Sequence, residues 1–133
     1  MPHVYALDER ALAVVATAIL VATETLAVHA AEVDAAGRDP VASLAALRDA
    51  GLLGLCVPKE YGGMGHGPRT FAAVVEELAR ACGSTAMIHV MHVIAAQTIG
   101  QSATMTDRAP VLRDIAAGKH LTTLAFSEKG SRS

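Results

Sequence analysis

The 133-residue chain has no tryptophan, two tyrosines and two phenylalanines, so aromatic residues make up 3% of it while hydrophobic residues make up 52%. A core without large rings has to be built from Ala, Leu, Val and Ile, which favours close helix–helix packing over a sandwich or barrel. Clustered basic residues are also missing. No two Lys or Arg are adjacent and the net charge is −2, so the electrostatic footprint of a nucleic-acid-binding protein is absent. Cysteine is scarce. Cys56 and Cys82 stand in apolar segments with no CxxC spacing, which excludes a disulfide framework or a structural zinc knot and suits the reducing cytoplasm.

What is present is apolar mass in helical periods. Mean hydropathy is +0.37, which leaves more apolar surface than a core of this size hides and points to a covering partner. The run Ala11–Ala22 is nearly pure aliphatic, but at twelve residues it falls short of the roughly 20 needed to span a bilayer. Asp8, Glu9 and Arg10 before it, and Glu24 behind it, also make it a poor signal peptide, so no membrane insertion is expected.

Five helices and one strand can be read. Asp8 caps the first, whose stripes are Leu12, Val15, Ile19, Ala22, Leu26 and, beside them, Val14, Ala18, Val21, Val28. Asp39-Pro40 starts the second, with Leu44 and Leu47 inside and Gly51 as its stop. Leu52 to Pro58 reads as a buried extended connector, followed by a glycine-rich loop, Tyr61 to Gly67. Pro68 opens the third helix, which buries Phe71, Val74, Val75, Leu78 and Cys82 and ends at Gly83. Ser84 caps the fourth, carrying Met87, Ile88, Met91, Ile94 and Ala95, and Gly100 ends it. Thr106 caps the fifth, with Leu112 and Ile115 inside and Gly118 as its end. Leu121 to Phe126 is rich in β-formers and reads as a strand with no partner in this sequence, the first of a sheet the chain does not contain.

Signals for chemistry are weak when taken from the residues alone. Gly63, Gly65 and Gly67 do not make the GxGxxG spacing, and Pro68 follows at once, so a tight turn is the better reading than a phosphate cradle. His89 and His92 lie three apart on one helix. Without HExxH or a carboxylate–histidine pair to complete a site, they read as a packed pair bonded to backbone, not as metal ligands. Ser84 and Ser127 lack a nucleophile-elbow context.

An ordered set of motifs goes further. Ala50-Gly51-Leu52, Gly54, Pro58, Tyr61-Gly62-Gly63 and Gly65 resemble the early segment of the acyl-CoA dehydrogenases. Glu76-Glu77-Leu78-Ala79-Arg80 followed by Ser84-Thr85-Ala86 continues the resemblance, as does Pro110 to Gly118. Leu124 to Ser133 is similar to the family's flavin segment, with Lys129 in place of the usual Pro and Arg132 where a small residue is common. The resemblance implies an α-helical N-terminal domain over residues 1–119 and the start of a middle β-domain over 120–133. It also implies FAD as cofactor and an acyl-CoA thioester as substrate, losing a proton from Cα and a hydride from Cβ. Leu124, Phe126, Ser127 and Ser133 would meet the flavin, Ser133 and His92 the substrate. Family members are oligomeric, which makes a homo-oligomer or docking on a companion subunit the expected assembly. The family's catalytic carboxylate sits in a C-terminal bundle, so no residue here is matched to it and the chain alone is expected to be inactive. A flavin-dependent monooxygenase of the same fold and a non-catalytic helical interaction module are the alternative readings.

Overall fold

The computed structural model describes residues 4–125, an all-helical body of five rods followed by an irregular tail. The first rod is continuous from Glu9 to Ala36, 28 residues long. It is made of α1 (Glu9–Val21), a π-helical turn (Ala22–Leu26) and α2 (Ala27–Ala36). Asp8 caps it as expected, its Oδ1 accepting from the Ala11 amide at 2.8 Å. The rod ends on Gly37 at φ 56°, the left-handed conformation that closes a helix.

The twelve-residue run is therefore the N-terminal part of a much longer helix, long and apolar enough by length and composition to cross a bilayer. One face of it is core. The buried line is Ala11, Val15, Ala18, Ala22 and Leu26, while Leu12 and Ile19, expected inside, are each 40% exposed. Both stripes are apolar, so hydropathy alone does not set the phase. The alanine line wins because small side chains let the rod approach α4 (Pro68–Ala81) closely.

Helix α3 (Val41–Asp49) begins one residue later than expected: Pro40, not Asp39, occupies the cap position, and no side chain bonds there. Leu47 is fully buried and Leu44 packs against the same cluster. Gly51 follows at φ 73°. The next residues are buried as expected but not extended: Leu52–Gly54 is a 3₁₀ turn, and Lys59–Tyr61 is another. α4 opens with Pro68 at its first position and buries Thr70, Ala73, Val74 and Leu78, with Phe71 packed at the edge.

α5 (Gly83–Gln101) contains Gly83 instead of stopping at it, with Cys82 as its extended cap residue and Ser84 already inside. Its inward face is Thr85, Ala86, His89, His92, Val93, Ala95 and Ala96, whereas Met87 and Ile94 stand 61% and 37% exposed. α6 (Arg108–Ala116), capped at Asp107 and not Thr106, seals Val57 and Ala96 with Leu112 and Ile115. Leu121 to Ala125 forms no ladder among the described residues, since a strand exists only when its backbone finds a partner. Phe126 lies outside the described residues.

The glycine loop folds back on the 3₁₀ turn. Met64 N–H donates to Gly54 O at 2.9 Å, Gly65 N–H to Val57 O at 2.9 Å and His66 N–H to Leu55 O at 3.0 Å. Gly63 makes this approach possible, because a Cβ there would stand 2.0 Å from the Val57 carbonyl oxygen. The amides a phosphate would need are consumed by the chain's own carbonyls.

Two glycines therefore separate two physical effects. Gly51→Val, which forces a β-branched residue into positive φ, is expected to cost about 1–2 kcal/mol of stability. Gly63→Ala meets rigid backbone and is expected to cost about 3 kcal/mol or more. Denaturant midpoints of the two variants check the order; equal losses would contradict it.

Candidate functional site

The segment Leu52 to Val57 carries four large aliphatic side chains into the core without a regular ladder. Its own turns pair Leu52 O with the Leu55 amide and Gly54 O with the Val57 amide, and further donors to its six carbonyls come from elsewhere. α5 supplies three of the donors. His89 Nε2 bonds Leu52 O at 2.9 Å, His92 Nε2 bonds Leu53 O at 3.0 Å, and Gln97 Nε2 donates to Cys56 O at 2.8 Å. The glycine loop supplies the others, to Gly54, Leu55 and Val57. Every carbonyl from 52 to 57 is paired. The histidine pair is thus bonded to backbone, as its spacing suggested. Gln97 was not singled out from the sequence; a further polar residue on the helix of the histidine pair was the available signal.

Both imidazoles are fully buried. Burial pushes the His89 pKa down from 6.5 to about 4 and lowers that of His92, so both rings are neutral. A carbonyl only accepts, so each Nε2 carries the proton. His89 Nδ1 has no hydrogen-bond partner among the described residues, whereas His92 Nδ1 accepts the Thr122 amide at 3.1 Å. His92 is the residue that joins the buried turn to the outgoing tail.

Two open clefts flank this arrangement. One, of about 660 Å³, lies between α3, α5 and the tail, with Leu44, Met87, Ile88, Met91, Leu121 and Thr122 among its walls. Met87 and Met91 line this cleft instead of filling the core. The second, of about 670 Å³, lies between α4 and α5 beside Cys56, Phe71 and Ile94. Burial raises the Cys56 thiol to about 11, which keeps it protonated and a poor nucleophile. The first cleft is the better candidate because the tail that leads into Leu124 forms part of its wall.

Of the site residues expected from the resemblance, Leu124 is half-buried in the tail. Phe126, Ser127 and Ser133 lie outside the described residues. His92 touches backbone on both ring edges. Among the described residues no three His, Cys, Asp or Glu side chains gather into a metal-binding group.

Comparison with known proteins agrees with the motif order. Residues 8–119 match the family model for the acyl-CoA dehydrogenase N-terminal domain. The chain is 31% identical over 113 residues to the probable acyl-CoA dehydrogenase YngJ of Bacillus subtilis, covering 84% of this chain and 30% of that protein. It is 34% identical over 115 residues to the mitochondrial isovaleryl-CoA dehydrogenase of Oryza sativa, covering 84% and 28%. It is 37% identical over 93 residues to the cyclohex-1-ene-1-carbonyl-CoA dehydrogenase of Syntrophus aciditrophicus, covering 70% and 21%. The chain spans less than a third of the length of these curated relatives.

The histidine burial has a pH consequence. Unfolding returns His89 to an ordinary pKa near 6.5, so the unfolded state binds the extra proton first. Stability is expected to be full above pH 6.5 and to fall as pH drops towards 4, by on the order of 3 kcal/mol. Thermal melts between pH 5 and 7, above most carboxylate titration, check this. His89→Gln, which keeps a donor for Leu52 O without a titrating ring, should flatten that limb, and an unchanged slope would count against the assignment.

Proposed function

Since the chain belongs to the acyl-CoA dehydrogenase family through its N-terminal domain, we propose that it forms the helical wall of a flavin-dependent enzyme that desaturates an acyl-CoA thioester between Cα and Cβ. The observation that carries this is the cleft of about 660 Å³ whose walls are the apolar outer face of α5 and the tail that runs into the flavin-like segment. An aliphatic acyl chain suits walls of Leu44, Met87, Ile88 and Met91, where flexible thioethers adapt to its shape.

The tail fits a flavin edge in its donor set. Among the described residues no hydrogen bond engages the amides of Thr123, Leu124 or Ala125. Residues 120–133 would start the middle β-domain, with Leu124, Phe126 and Ser127 presenting backbone and hydroxyl donors to FAD, and Ser133 reaching towards substrate. Bound FAD would supply the hydride acceptor. His92 serves that site through the backbone it holds. Both nearby imidazoles hold backbone carbonyls through Nε2, and no residue of this chain matches the family's catalytic carboxylate. The chain alone is therefore read as inactive, its base coming from elsewhere in the enzyme.

The outer side of the long rod exposes Leu12, Ile19, Leu20 and Val28. That surface suits a further copy or a companion subunit in the cytoplasmic assembly.

Size-exclusion chromatography of the chain with FAD, recording protein and flavin absorbance together, tests the reading. Flavin should co-elute with an oligomeric species and stay unbleached on adding an acyl-CoA. A colourless monomer would overturn it. Ser127→Ala should weaken flavin retention and leave helicity unchanged; lost helicity would place Ser127 in the fold and not at the cofactor.

A further inference from the structure

We propose that His92 is a positioning residue: a neutral imidazole that clamps the tail to the buried turn and so fixes where the segment from Leu124 onwards begins. Its consequence for cofactor binding rests on the reading of that segment as flavin-contacting. The two contacts lie on opposite edges of one ring, Nε2 on Leu53 O at 3.0 Å and Nδ1 on the Thr122 amide at 3.1 Å. Among the described residues it is the one hydrogen bond between Leu121–Ala125 and the helical body. The body side of the clamp cannot drift, since Leu53 belongs to the row of paired carbonyls and packs in the main core.

The pairing dictates the residue type. An amide can only donate and a carbonyl can only accept, so the bridge needs one acceptor and one donor on opposite edges of one rigid group. Lys and Arg have donors alone, and ionised Asp and Glu have acceptors alone. Asn and Gln have both, but on one end of the side chain. Neutral histidine satisfies the requirement in a single tautomer, with the proton on Nε2 and Nδ1 bare.

Two shorter substitutions split the functions. Gln places an amide near the Nε2 position and keeps a donor for Leu53 O; Asn places its amide near Nδ1 and keeps an acceptor for Thr122. Long-range ¹H–¹⁵N spectra of the 133-residue chain should show His92 in the Nε2–H form, and the Thr122 amide should exchange slowly. In His92→Gln, Thr122 protection should fall about tenfold or more while the melting temperature holds. In His92→Asn, protection should be largely kept while the melting temperature drops. An Nδ1–H tautomer, an unprotected Thr122 in the unaltered chain, or full protection in His92→Gln would each overturn the clamp. Flavin absorbance of the FAD-loaded chain separates the two readings. A shift in His92→Gln alone supports both; lost Thr122 protection with an unshifted spectrum supports the clamp and counts against the flavin assignment.

Discussion

The structure depends on a row of six paired carbonyls, from Leu52 to Val57. Leu52, Leu53, Leu55 and Val57 put aliphatic side chains into the core, which drags an irregular backbone in with them. Local turn bonds pair two of these carbonyls, Leu52 O and Gly54 O, and each of the others left unpaired would cost about 1–3 kcal/mol. The rest of the fold is arranged to answer that debt. α5 turns His89, His92 and Gln97 onto three of the carbonyls. The glycine loop returns its amides to the other three, which requires Gly63 to lack a side chain. Hydrophobic burial sets the position of the segment, and the hydrogen bonds make the position unique.

This explains which parts were legible in the sequence. Helix existence, the Asp8 cap, Pro68 at a first position and the glycine stops at Gly51 and Gly118 all follow from local chemistry, and all are present. The phase of the first and fourth helices does not follow. Where several faces of a helix are apolar, the inward one is chosen by size and by what its partner needs. On the long rod that selects alanines over Leu12 and Ile19; on α5 it selects histidines over Met87 and Ile94. The connector was legible as buried and illegible as a 3₁₀ turn, because its conformation is imposed by donors more than thirty residues away. Of the candidate site residues, His92 could be seen as backbone-bonded from its spacing with His89. Its second bond, to Thr122, depends on where the tail leaves α6, which no local signal records.

The apolar excess in the composition has the same origin. A rod that packs through Ala11, Ala18 and Ala22 spends small residues on the core and leaves larger ones outside. The close approach gained on one side is the reason for Leu20 and Val28 on the other. An outward-facing methionine row beside the tail arises likewise, since α5 must give its inner face to the carbonyls. Core satisfaction and the formation of a cleft are thus one choice of helix phase.

That coupling makes the domain's contribution positional. Cys56 and the two histidines are held neutral by burial, so they offer shape and register in place of proton transfer. For a site assembled from several segments, a wall that moves by an ångström can cost as much as a lost functional group. A turn held by its paired carbonyls, joined through one imidazole to the tail beside it, resists that movement. A rotation of α5 would break the carbonyl row, release Thr122 and move the methionine wall together, so cleft geometry is protected by the same energy that holds the core.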